Sequence, residues 1–168
     1  GRRLAHDLLV EASLPRDGGQ AQGRGHAQSF SEEMRAEQAV MLSTEDELRG
    51  AIGGHELRVQ FQPIVSLEHG ATIGCEGLVR WEHPDRGLIG PGEFIALAEE
   101  TGLIMSIGTQ VLREACRQAR AWQADNLRLA IKVNLSARQF VHPNLAEVVA
   151  GILAETGIDP ALVYLEIT

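Results

Sequence analysis

An α/β fold with a parallel sheet is the class this sequence predicts, and three features predict it. Leu57-Arg58-Val59-Gln60-Phe61-Gln62 alternates apolar and polar residues, the mark of a half-buried strand. Ile107, Val111, Leu112, Ala115, Ala119 and Trp122 recur at helical spacing through about four turns. A mostly apolar run from Leu129 to Leu135, a second helical stripe and a strand from Val163 to Ile167 follow. Strand, helix, strand, helix, strand is the pattern of βαβ units.

Composition and charge narrow the function classes. Hydrophobic residues make up 44% of the 168, too many for a disordered chain. The formal net charge is −8, divided as −3 over residues 1–55 and −5 over residues 56–168. Neither part is basic, which argues against a nucleic-acid duplex as partner. No apolar run reaches the roughly 18 residues of a membrane span, and no signal peptide opens the chain. Cys75 and Cys116 stand far apart without CxxC spacing, so neither a zinc cage nor a disulfide framework is expected, and a reducing cytoplasm fits.

Taken in order, Leu4, Leu8, Leu9 and Ala12 suit one face of a short helix, and Pro15 to Gly25 has loop composition. Phe30 to Ile52 favours helix. Ser43-Thr44-Glu45-Asp46-Glu47 reads as a helix start, with a cap residue followed by acids, and Gly53-Gly54 as its end. Pro63 makes the strand from Leu57 an edge or irregular one. His69-Gly70 is a turn into a second strand, Ala71 to Trp81, so the two are expected to pair as a hairpin. Glu82 to Pro91 reads as loop, and Pro91 to Thr101 as a short helix closed by Gly102. The apolar run at Leu129–Leu135 predicts a sheet covered on both faces. Leu145, Val148, Val149, Ile152 and Leu153 form the second helical stripe, closed by Gly157.

Three polar residues lie near the ends of three successive strands, each among apolar neighbours: Glu76, Asn134 and Glu166. A carboxylate in apolar surroundings needs a cation or hydrogen-bond donors. Two carboxylates with an amide oxygen make a hard donor set suited to Mg²⁺ or Mn²⁺. The competing reading is three ordinary strand acids and amides, facing solvent or paired with arginine. Arg80 shares a strand face with Glu76 and Leu78, where its guanidinium can bind Glu76 or clamp a phosphate. Gln62 ends the neighbouring strand and says little alone.

Phe61-Gln62-Pro63-Ile64-Val65, Glu76-Gly77-Leu78-Val79-Arg80-Trp81, Gly87-Leu88-Ile89-Gly90-Pro91-Gly92-Glu93-Phe94-Ile95 and Ala98-Glu99-Glu100-Thr101-Gly102 closely resemble the EAL domain. So do Val133-Asn134-Leu135-Ser136-Ala137-Arg138-Gln139-Phe140 and Leu165-Glu166-Ile167-Thr168. That family comprises bacterial phosphodiesterases of cyclic di-GMP, and the resemblance is collinear over residues 56–168. Ala5-His6-Asp7-Leu8-Leu9, Gly23-Arg24-Gly25 and Phe30-Ser31-Glu32-Glu33-Met34 more weakly resemble the end of a GGDEF domain leading into a linker helix. The implied organisation is a GGDEF-like remnant at 1–34, a linker helix at 35–55 and the first part of an EAL domain at 56–168.

The resemblance implies an incomplete (β/α)8 TIM-type barrel and, for the parent domain, metal-dependent hydrolysis of cyclic di-GMP to a linear dinucleotide. The alternative is a degenerate domain, a receptor or signalling scaffold that does not cut the nucleotide. It implies Glu76 as catalytic metal ligand, Asn134 and Glu166 as further ligands of Mg²⁺ or Mn²⁺, and Gln62, Leu78 and Arg80 as substrate-binding residues. Upstream GGDEF or sensor domains and a homodimer are the implied partners. A phosphodiester needs its charge neutralised and a water ionised, which divalent metals accomplish. Three departures stand out. Gly77 replaces the usual alanine, Lys132 replaces a small side chain two residues before Asn134, and the sequence ends before the family's aspartate pair and lysine. A lysine at 132 can repel a cation from the metal-facing side, or can lie deep in the barrel against an acid. The chain alone is expected to be inactive.

Overall fold

The computed structural model describes residues 22–168, with side chains at position 35 and from position 39 onward. The expected helix at Leu4–Ala12 lies outside the described residues, as does the expected Pro15–Gly25 loop up to residue 21; its last residues, from Gln22, are helical and form the first turn of helix α1 (Gln22–Gly54). The chain divides into two compact units, Gly1–Val40 and Met41–Thr168. The first unit holds α1 as far as Val40; the residues of α1 from Met41 and all other elements belong to the second.

α1 runs straight through Ser43 rather than starting there. No Gly or Pro interrupts residues 30–44, and Glu, Ala, Met and Gln are strong helix formers. Ser43 Oγ donates to Glu47 Oε1 at 3.3 Å, one turn on, instead of capping. At the other end the left-handed residue is His55 (φ 59), not a glycine. Glu56 N–H then bonds the Ala51 carbonyl at 3.2 Å, the six-to-one bond of a Schellman ending.

β1 (Leu57–Val65) and β2 (Thr72–His83) form the expected antiparallel hairpin, turning at Gly70 (φ 65). β1 is an edge strand of the five-stranded sheet, pairing with β2 alone among the described residues, and its register shifts just after Pro63, between Ile64 and Val65. The stretch expected as loop after Glu82 contains a short strand, β3 (Gly87–Ile89), which pairs antiparallel with β2. Ile89, buried opposite Trp81, anchors it. A 3₁₀ turn at Pro91–Glu93 leads to α2 (Ile95–Thr101), which ends at Gly102 (φ 78). α3 (Ile104–Ala124) then crosses to β4 (Ala130–Leu135), parallel to β2. α4 (Ala137–Phe140) and α5 (Leu145–Thr156) lead to β5 (Val163–Ile167), parallel to β4.

The core lies on one side of this sheet. Cys75, Trp81, Ile131 and Val133 are buried with Ile107, Leu112, Ala115 and Ala119 of α3 and Ile152 of α5. Phe94 stands edge-on to Trp81 at 5.9 Å and 84°, and Trp81 Nε1 donates to Glu56 Oε2 at 3.0 Å. His83 Nδ1 accepts from the backbone N–H of Asp85 and Arg86, so Nε2 carries the proton and donates to Glu47, tying α1 to β2. β4 differs from its expected double-sided burial. Ile131, Val133 and Leu135 are buried, whereas Lys132 and Asn134 are half-exposed. Helices cover one face of the sheet among the described residues, and the polar residues of β4 fall on the other.

Candidate functional site

Residues directly opposite across a ladder share a face of the sheet. Gln62 pairs with Glu76, Glu76 with Lys132, and Lys132 with Tyr164, one row across four strands. Asn134 pairs with Glu166, two residues further along the same strands. Leu78 and Arg80 continue this face on β2, opposite Gln60 and Arg58 of β1. The register thus brings Gln62, Glu76, Leu78, Arg80, Asn134 and Glu166 onto one open face. The helix-covered face holds the apolar residues of the same strands.

Asn134 Nδ2 donates to Glu76 Oε1 at 2.7 Å, joining β4 to β2 through side chains. A hydrogen bond to a charged acceptor is roughly twice as strong as a neutral one. Lys132 Nζ lies 2.5 Å from Glu166 Oε1, joining β4 to β5. Glu166, by hydrogen bond first and charge second, raises the Lys132 ammonium above its ordinary pKa; Glu76 and Tyr164 add to this, and burial opposes it. Lys132 thus lies against an acid, but part-exposed on the site face rather than deep in a barrel. Arg80 forms no ion pair with Glu76. Its Nη1 donates to the Val79 carbonyl at 2.8 Å, and among the described residues no carboxylate bridges it.

The turn after Asn134 is tightly held. Ser136 caps α4 by accepting from Gln139 N–H, and Gln139 Oε1 accepts from Ser136 N–H in return. This reciprocal box is legible as Ser-x-x-Gln, a pattern the sequence reading passed over. Buried Gln139 rests on α3 at Gly108, where an added Cβ would lie 1.8 Å from Gln139 Nε2. A cavity of about 350 Å³ opens beside Asn134, lined by Leu78, Pro91, Ile95, Ile104 and Ser136 among others. Its walls are chiefly apolar side chains and backbone. Tyr164 was also missed; period-2 alternation back from Glu166 places it on the site face.

Glu76, Asn134 and Glu166 offer two carboxylates and an amide oxygen on adjacent strands, a donor set that fits a hard divalent cation. Lys132 already holds one oxygen of Glu166. No group of three or more His, Cys, Asp or Glu side chains with metal-binding geometry occurs among the described residues. An amide completes this set instead.

The molecule is therefore a mixed α/β protein with a polar, oxygen-rich site on an open sheet face. The EAL domain model matches residues 45–168, and the chain belongs to the EAL domain family. It is 41% identical over 164 residues to the bifunctional diguanylate cyclase/cyclic di-GMP phosphodiesterase MucR of Pseudomonas aeruginosa, covering 97% of this chain and 24% of that protein. It is 37% identical over 163 residues to the cyclic di-GMP phosphodiesterase NbdA of the same organism, covering 96% of this chain and 21% of that one. The chain thus spans about a quarter of these relatives. Among solved structures, a PaMucR phosphodiesterase in complex with c-di-GMP superposes with a TM-score of 0.69 at 45% identity, over 71% of this chain and 49% of that one. The EAL enzyme Bd1971, at 22% identity and TM-score 0.73, shares the fold over 88% of this chain and 43% of that one. No helix among the described residues is long and apolar enough to cross a membrane.

Proposed function

We propose that the open sheet face is a cyclic di-GMP site and that the protein containing it hydrolyses this nucleotide to the linear dinucleotide in bacterial signalling. The observation that carries the reading is the single face shared by Glu76, Asn134, Glu166 and an Arg80 not committed to any carboxylate. In this reading Glu76, Asn134 and Glu166 hold Mg²⁺ or Mn²⁺. When bound, such an ion offsets phosphate charge and lowers the pKa of a bound water.

The chain's own residues do the rest. Arg80 turns from the Val79 carbonyl to a phosphate oxygen, exchanging a neutral acceptor for a charged one. Leu78 and the cavity beside Asn134 supply an apolar surface of the size a nucleobase needs. Gln62, opposite Glu76, offers an amide to the same ligand. Asn134 keeps the Glu76 carboxylate aimed along the face, and the Ser136–Gln139 box fixes Asn134 in turn.

The organisation that accompanies this reading is a GGDEF-like remnant over 1–34, a linker helix over 35–55 and a barrel begun over 56–168, in a cytoplasmic protein. The test is product analysis. The full-length protein incubated with cyclic di-GMP and Mg²⁺ or Mn²⁺ is expected to yield the linear dinucleotide, and chelator is expected to stop it. Tight binding without product in either metal would instead favour the receptor reading, which the Lys132–Glu166 pair supports by occupying one proposed metal ligand.

A further inference from the structure

We propose that Lys132 is a built-in counter-ion that competes with a divalent cation for Glu166 and so weakens the site's hold on that cation. The inference rests on the metal-site reading above and assigns a role to a residue outside the proposed ligand set.

The two carboxylates of the face are not equivalent. Glu76 accepts from a neutral amide, Asn134 Nδ2, at 2.7 Å, which leaves its full charge for a cation. Glu166 has a full positive charge 2.5 Å from Oε1. A cation engaging Glu166 either displaces the ammonium from Oε1 or binds Oε2 with the ammonium still in place, and on both routes it meets a like charge. On either route the ammonium remains tethered to β4 beside the ion. Lys132 sits in the row between Glu76 and Tyr164, so its next acidic neighbour is the other proposed ligand, Glu76. It therefore stays beside the ion and repels it.

The pair is also not sealed. The Lys132 and Glu166 side chains are 36% and 43% exposed, so displacement needs no unfolding and the effect is one of affinity. Three of the six charges on this face, Arg58, Arg80 and Lys132, are positive and three, Glu76, Glu82 and Glu166, are negative. A dianionic ligand thus meets a balanced face before any metal arrives.

The experiment is a Mn²⁺ titration of the full-length protein at fixed pH, read by the electron paramagnetic resonance of the free ion, with no nucleotide and no activity measurement. K132A is expected to bind Mn²⁺ about tenfold tighter than wild type, the combined effect of a freed carboxylate and a removed like charge. K132R, which keeps the charge, is expected to bind as weakly as wild type. K132M keeps the aliphatic stem and is expected to match K132A, so it carries the test if K132A melts below the assay temperature. K132A and K132M binding no tighter than wild type would overturn the inference. E76A separates this from failure of the site itself. If E76A alone abolishes binding while K132A changes nothing, only the role of Lys132 falls. If E76A binds as wild type does, or no variant binds, the metal-site reading falls and the inference with it.

Discussion

At the scale of single residues, Glu76 and its neighbour Gly77 make opposite predictions. Glu76→Ala removes a proposed metal ligand and the acceptor of Asn134 Nδ2. Partners of metal ligands already matter about 10–100-fold, so loss of a ligand should lower phosphodiesterase turnover of the full-length protein by about a hundredfold or more. Gly77→Ala adds a methyl 3.3 Å from Val59 Cγ1 and 3.5 Å from Ala115 Cβ. Val59 is half-buried on an edge strand and can yield, and alanine removes about 0.5–1 kcal/mol of backbone entropy cost. Turnover should stay near wild type and the melting temperature hold or rise slightly; equal rate losses in both variants would contradict the assignment. Cys116 gives a pH prediction. Burial pushes its thiol up to about 11 from an ordinary 9.0. Between these values the unfolded chain has lost the proton that the folded chain keeps, so stability falls as pH rises through that window. Denaturant melts of wild type and Cys116→Ala should converge in their pH slopes below it and diverge within it.

At the scale of elements, the support beneath Asn134 is open to test. Alanine in a helix interior usually stabilises by roughly 0.8–1 kcal/mol over glycine. Gly108→Ala should do the reverse, because the new Cβ would occupy the place of Gln139 Nε2. Moving that buried amide breaks the Ser136–Gln139 box, a loss of about 0.5–2 kcal/mol, and adds overpacking of about 1–3 kcal/mol. The expected result is a lower melting temperature together with weaker ligand binding, since the turn after Asn134 loosens. A melting temperature at or above wild type would show that the box does not depend on Gly108. The same elements show what the sequence made legible. Period-2 alternation placed Glu76 with Arg80, and the hairpin and parallel strands followed from pattern. Registers did not, because the row Gln62–Glu76–Lys132–Tyr164 depends on how strands from distant parts of the chain align. The start of α1 was misread because Ser43 carries cap chemistry in a segment with nothing to stop a helix. β3 was missed because three residues among Gly and Pro are too short for a period to register.

At the scale of the whole molecule, the five strands of this sheet compare with the eight of a (β/α)8 barrel. We expect residues 1–168 alone to give no metal-dependent turnover, because the proposed metal set on the described face is limited to two carboxylates and an amide, one of the carboxylates already paired with Lys132. Product formation by the isolated chain would contradict this. The most direct measurement of the central claim, that the open face holds cyclic di-GMP, is calorimetric titration of the full-length protein in chelator, with a melting curve for each variant. Arg80→Ala should weaken metal-free binding roughly ten- to hundredfold, the worth of one charge-assisted hydrogen bond to phosphate. Glu76→Ala should leave metal-free binding intact or slightly tighter, because it removes a negative charge beside the ligand. Arg80→Ala binding as tightly as wild type, with only a lower melting temperature, would contradict the account.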